Sequence, residues 1–181
     1  MKIQAKEILG DEAAKQVRSP KSEAQVHEKL LSQIENELPQ DQKALAPSLT
    51  SAVLKAAYRT KMDPFFLAAV IKTESGFRIK ARGRHGEIGL MQLRPKTAAW
   101  IAKKEGLSFR GPASLEDAHE NIRLGAAYLS FLRSKFKNRG IDYVAAYNMG
   151  AGQVRKLREK EITPRIYHAR VSGQYLKLRL Q

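Results

Sequence analysis

Apolar residues recur at helical spacing along most of the chain, and no alternating run is long enough to build a large sheet. Val26, Leu30, Ile34 and Leu38 return every fourth position before Pro39, which predicts an amphipathic helix ended by the proline. Leu49, Val53 and Ala57 mark a second helix. Asp63-Pro64 supplies an N-cap and a first-turn proline for a third, which carries Leu67, Val70 and Ile71 and can end at Gly76 in a left-handed conformation. From 78 to 93 the period is lost, and Gly83, Gly86 and Gly89 fall three apart, as in a loop or short hairpin. Pro95 opens another helix and Gly106 closes it. Ser114 with Asp117 three positions later resembles a capping box, leading a long helix with the stripe Ile122, Gly125, Leu129, Leu132 and Phe136. A shorter helix runs near Tyr143 to Tyr147, interrupted by Gly150 and Gly152. The last starts at Thr163-Pro164 and carries Tyr167, Val171, Tyr175 and Leu178. The expected class is mainly α, with no internal repeat.

Residues 1–44 are polar and charge-rich, and their one clear stripe is too narrow to form a core alone. They read as a charged helical N-terminal arm packed on a second unit, 45–181. At 181 residues the chain has room for one domain with some addition. No apolar run approaches the roughly 18 residues of a membrane-spanning helix.

The net charge of +15 predicts attraction to something anionic, either nucleic acid, an acidic lipid surface or a cell-wall polymer. Charge alone does not choose among them. The absence of cysteine excludes disulfides, thiolate metal sites and a Cys nucleophile. His27, His85, His119 and His168 show no metal-binding spacing, so no metal is expected. The first residues, Met-Lys-Ile-Gln-Ala-Lys-Glu, lack the apolar core of a signal peptide, consistent with a cytoplasmic chain or one whose leader is removed.

One position breaks the pattern. Glu74 falls on the face of Leu67, Val70 and Ile71, in the last helical turn, where the macrodipole disfavours an anion by about 0.3 to 1 kcal/mol. Two readings follow. Glu74 lies at the edge of the face and pairs with an Arg or Lys, or it is partly desolvated among Val70, Ile71 and Phe77. In the second case burial raises its pKa toward a general acid's range.

The residues around it weigh on that choice. Glu74-Ser75-Gly76-Phe77, then Gly89-Leu90-Met91-Gln92-Leu93 with Pro95, then Asn121-Ile122-Arg123-Leu124-Gly125 with Tyr128-Leu129, then Ala146-Tyr147-Asn148-Met149-Gly150-Ala151-Gly152 occur in one order. Together they resemble the lytic transglycosylase family of peptidoglycan-cleaving enzymes, within the lysozyme-like superfamily of goose-type folds, over roughly Leu45 to Tyr175. The resemblance implies a lysozyme-like helical domain with an irregular loop or small hairpin after the catalytic helix. It implies Glu74 as the catalytic carboxyl, with Ser75, Met91, Gln92 and Tyr147 at the cleft, and Asn148 and Glu87 join them as candidate substrate-binding residues. Read from chemistry alone, Gln92 is either a sugar-binding amide or a loop anchor. Tyr147 is either core or, by the resemblance, directed at the catalytic carboxyl, and Asn148 is expected to cap the turn before Gly150.

Hydrolysing glycosidases usually use two carboxyl groups. The resemblance implies one, Glu74, which protonates the MurNAc–GlcNAc glycosidic oxygen and then takes the proton of the sugar's own 6-hydroxyl, leaving a 1,6-anhydro end without water, metal or cofactor. The chain departs from the family's pattern at two points, with Gly83 where a Ser is usual and Gly86-Glu87 where Gly-Ala is usual. Glu87 is expected either solvated beside Arg82 and Arg84 or facing the cleft as a second carboxyl, which would make goose-type hydrolysis the alternative. A nucleic-acid binder or a non-catalytic wall-binding module are the other readings. The expected partner is the peptidoglycan glycan strand, with no nucleic acid and no integral membrane segment, and residues 1–44 are free to engage an envelope-crossing machine. The expected location is the periplasm or cell envelope.

Overall fold

The amphipathic repeats fold as helices in a computed structural model that describes residues 2–17 and 22–180; the parts of the expected arm at 1 and 18–21 lie outside the described residues. α1 (Lys2–Leu9) and α2 (Asp11–Gln16) precede α3 (Glu23–Glu37), whose N-cap Ser22 accepts from the Gln25 amide. The α3 stripe of Val26, Leu30 and Ile34 is buried, with Leu38 behind it. α4 (Ala46–Thr60), α5 (Pro64–Ser75) and α6 (Pro95–Lys104) follow, then α7 (Ala118–Lys135), α8 (Gly140–Met149), α9 (Ala151–Glu159) and α10 (Ile166–Leu180). Among the described residues there is no strand, only isolated bridges joining Arg82 to Ile88 and Ile88 to Leu93 in the loop after α5.

Three boundaries differ from the sequence reading. Pro112 opens a 3-10 turn over Pro112–Glu116, so the N-cap of α7 is Asp117, which accepts from the Glu120 amide at 2.8 Å. The Ser114 hydroxyl binds the Gly111 carbonyl and the Glu120 carboxylate instead. Gly150, at φ +86, does end α8, but Gly152 lies inside α9. The last helix begins at Ile166, two residues beyond Pro164.

α5 is buried on nearly every side, from Pro64 through Ile71, and forms the centre of the main core with α4, α8 and α10. Asp63 fixes both its start and its partner, accepting the Phe65 amide at 3.0 Å and the Tyr175 hydroxyl of α10 at 2.8 Å. The stripe of α3 is packed into this same core. A second apolar cluster, of Ile88, Leu93, Ala98, Ile101, Leu115 and Leu124, lies under the loop and α6. Tyr128 and Tyr147 touch both clusters, and the seam between them opens to solvent at the end of α5.

α1 is seated on the N-terminus of α8. Arg133 donates to Glu7 at 2.8 and 2.5 Å, and Gln4 bridges the Tyr143 hydroxyl and the Asp63 amide. A Cβ added at Gly140 would stand 1.8 Å from the Glu7 carbonyl oxygen, so only glycine lets the two backbones meet. Gly140→Ala is therefore expected to lift α1 and lower the melting temperature by on the order of 5 °C. A melt indistinguishable from the wild type would show that α1 does not depend on this contact.

Candidate active site

The last turn of α5 carries Glu74, half-buried at the seam, and Gly76 at φ +59 ends the helix directly after it. Phe77 is fully buried and turns the chain back, so the loop of 78–94 folds over the mouth of the seam. The loop is then fixed from below. Asn121 of α7 accepts the Met91 amide at 2.7 Å and donates to the carbonyls of Ile88 and Leu115 at 2.8 and 2.9 Å. Met91 drops into a socket at Gly125, where a Cβ would lie 2.5 Å from its sulfur. The Tyr147 hydroxyl donates to the Met91 carbonyl at 2.8 Å. Gly89, at φ +80, is packed so closely on Asn121 and Leu115 that no side chain fits. The glycines and the buried asparagine thus hold Gln92, itself left-handed at φ +47, at the cleft wall.

The resulting cleft, of about 520 Å³, brings together Glu74, Glu87, Gln92, Tyr147 and Asn148. Ser75 and Met91 do not line it. Ser75 is buried with its hydroxyl on the Ile71 carbonyl, and Met91 is wholly inside. The Gln92 amide nitrogen is spent on the carbonyls of Ala81 and Gly89, at 3.1 and 2.8 Å, so it anchors the loop and only its oxygen is offered to a ligand. Asn148 does not cap the turn. Its side chain is exposed in the cleft, and the Gly150 amide binds the Ala146 carbonyl instead. Tyr147 gives its hydroxyl to the loop backbone and not to the carboxyl, while its ring lines the cleft.

Glu87 departs from the expectation of a solvated residue beside Arg82 and Arg84. Arg82 pairs with Glu116, and Glu87 is held in the cleft wall by Arg94, whose Nε and Nη2 lie 2.8 Å from Oε1, and by the His85 amide at 2.9 Å from Oε2. Partial burial opposes its charge, but the Arg94 and backbone donors outweigh this and hold its pKa below the ordinary carboxylate value.

Glu74 is shifted the other way. Burial raises its pKa above the ordinary carboxylate value, against the Tyr167 hydroxyl hydrogen bond and the Arg170 charge; the nearby negative charge of Glu87 adds to the rise. Tyr167, on the first turn of α10, donates to Glu74 Oε1. It was legible only as part of an apolar stripe, although a buried tyrosine needs a partner for its hydroxyl, and that requirement was the available signal. Burial first, and the charge of Glu74 second, raise the pKa of both Tyr167 and Tyr147 well above normal, so both phenols remain donors.

The helical fold that carries this carboxyl and its cleft is also found among solved structures. The 70 kDa soluble lytic transglycosylase of Escherichia coli matches 98% of this chain and 30% of its own at a TM-score of 0.62 and 21% identity, a likeness of fold. An inactive mutant of the lytic transglycosylase Slt from Pseudomonas aeruginosa matches 71% of this chain and 22% of its own at a TM-score of 0.60 and 28% identity. The chain belongs to the family described as Transglycosylase SLT domain, whose sequence model matches residues 51–169. The Soluble lytic murein transglycosylase of Salmonella typhimurium is 36% identical over 91 residues, covering 50% of this chain and 14% of the relative. The Putative soluble lytic murein transglycosylase of Haemophilus influenzae is 35% identical over 111 residues, or 61% and 19%. The chain thus spans less than a fifth of these relatives' length.

Proposed function

We propose that this domain is a peptidoglycan lytic transglycosylase that cleaves the β-1,4 bond between MurNAc and GlcNAc, with Glu74 as both acid and base. The observation that carries the reading is Glu74 itself, half-buried, biased toward its protonated form, and facing a cleft large enough for a sugar. The carboxyl gives its proton to the glycosidic oxygen as the bond from C1 breaks, and positive charge develops at C1. The carboxylate left behind is stabilised by the Tyr167 hydroxyl and takes the proton of the 6-hydroxyl as O6 bonds to C1. Atoms balance without water, and Glu74 ends as it began. Its raised pKa serves the first half, and the Tyr167 hydrogen bond serves the second.

The two-carboxyl hydrolase is the weaker reading, because Glu87 is clamped by Arg94 and the named relatives are transglycosylases. Substrate places the site of action at the cell envelope; among the described residues no helix is long and apolar enough to cross a membrane.

The roles assigned to Glu74 and Tyr167 fix the direction of a pH effect. Tyr167→Phe removes a donor to the carboxylate, so the pKa of Glu74 rises further and the alkaline limb of the kcat profile moves to higher pH. The maximal rate should fall several-fold, since the proton is then held more tightly. A limb that stays in place or moves toward acid would separate Tyr167 from the reacting carboxyl. Turbidity loss of purified sacculi by the wild-type domain tests the proposed activity itself, and no clearing at any pH would refute it.

A further inference from the structure

Gly83 and Glu87 face each other across the tight loop that closes over the cleft, where the Gly83 amide donates to the Glu87 carbonyl at 2.9 Å. The backbone of Gly83 is outside the left-handed region, so no conformational need for glycine applies there. The constraint is space. A Cβ at position 83 would stand 2.3 Å from Glu87 Oε2, 2.8 Å from Glu87 Cβ and 2.9 Å from Gln92 Oε1. The Glu87 carboxylate occupies the volume that a side chain at 83 would fill, and two acceptor oxygens from different residues converge on that point.

Both oxygens are acceptors. Glu87 Oε1 is engaged by Arg94 and Oε2 accepts the His85 amide, with the backbone amide of Glu87 itself also supporting the carboxylate. Gln92 is oriented by its amide nitrogen, which fixes the direction of its Oε1. Both residues line the cleft that holds Glu74.

We infer that Glu87 Oε2 and Gln92 Oε1 form a built acceptor pair that binds a neutral hydrogen-bond donor of the sugar, a hydroxyl or an acetamido N–H, and that Gly83 is the residue that makes room for it. This rests on the proposed glycan-binding cleft and adds to it a specificity-determining residue and the kind of group it selects. A cationic amino group is disfavoured, because Arg94 sits directly on the carboxylate and Arg84 and His85 line the same cleft. The pair acts in binding, with Glu74 remaining the group that handles the proton.

The test uses the Glu74→Gln variant, so that binding is read without turnover, with solubilised peptidoglycan glycan strands in calorimetry. Adding Glu87→Ala should weaken binding by on the order of tenfold, the loss of one hydrogen bond to a charged acceptor. Gly83→Ala should weaken it comparably by pushing the carboxylate aside, and the two changes together should cost little more than either alone. De-N-acetylated strands should bind no better than acetylated ones. Equal affinity with and without Glu87, full additivity of the two substitutions, or tighter binding of free-amine strands would each overturn the inference while leaving the catalytic reading in place. If the Glu74→Gln domain with Glu87 intact binds no strands at all, both fall. Circular dichroism melts on the same samples separate loss of the site from loss of the fold.

Discussion

Glu74→Gln should leave the domain folded and reduce cleavage of sacculi by about a thousandfold, within the range contributed by a positioned acid and base. The substitution keeps the shape of the side chain and an oxygen for the Tyr167 hydroxyl, and removes only the transferable proton. It also has a signature in stability. The pKa of Glu74 is raised in the folded state, so its burial costs nothing below the ordinary carboxylate pKa and becomes a penalty as pH rises through the folded value. The variant should therefore melt with the wild type in acid and above it at alkaline pH. Residual cleavage near the wild-type rate would identify a different acid, and an alkaline melt below the wild type's would show that Glu74 is paired after all.

Asn121→Ala should be the most damaging substitution away from the reacting carboxyl. Three hydrogen bonds to the backbone of the loop and the Pro112–Glu116 turn disappear together, leaving the Met91 amide and the Leu115 carbonyl without their side-chain partner in a buried place, while the Ile88 carbonyl keeps only the Leu93 amide. Each unsatisfied group costs about 1–3 kcal/mol, and partial relaxation brings the sum to roughly 3–5 kcal/mol. For a domain of this size that is a fall in melting temperature of about 10 °C or more. Cleavage should fall as well, because Gln92 and the Glu87 wall depend on the loop's position. A variant that melts like the wild type would mean that Asn121 does not pin the loop.

The features that could be read beforehand are those whose cause is local. Asp63-Pro64 and Gly76 state where α5 begins and ends within twelve residues, and a carboxylate on its apolar face is anomalous by position alone. The ordered motifs named the family, and the match over residues 51–169 agrees. Tyr167 was hidden because it meets Glu74 from 93 residues away, and its spacing satisfies an apolar stripe equally well. Glu87 lines the cleft, one of its two expected places, but its charge partner was hidden for a related reason. Arg82 and Arg84 are nearer in sequence than Arg94, but the loop's bridges turn Arg82 toward Glu116. Ser114 and Asp117 read as the two halves of one capping box, but the 3-10 turn that Pro112 starts moves the helix start on and leaves Asp117 as the cap. α1 spans eight residues, too few for a periodic signal, and its place depends on the absent side chain of Gly140.

The chemistry assigned to Glu74 can be read from the oxygen at the new sugar end. Sacculi digested in heavy-oxygen water, with the released muropeptides weighed, should give anhydro-MurNAc ends that are lighter than hydrolysed ends by one water and carry no heavy oxygen. Reducing ends that incorporate the label would mean that water attacks C1, contradicting a single carboxyl that serves as acid and then as base to the 6-hydroxyl.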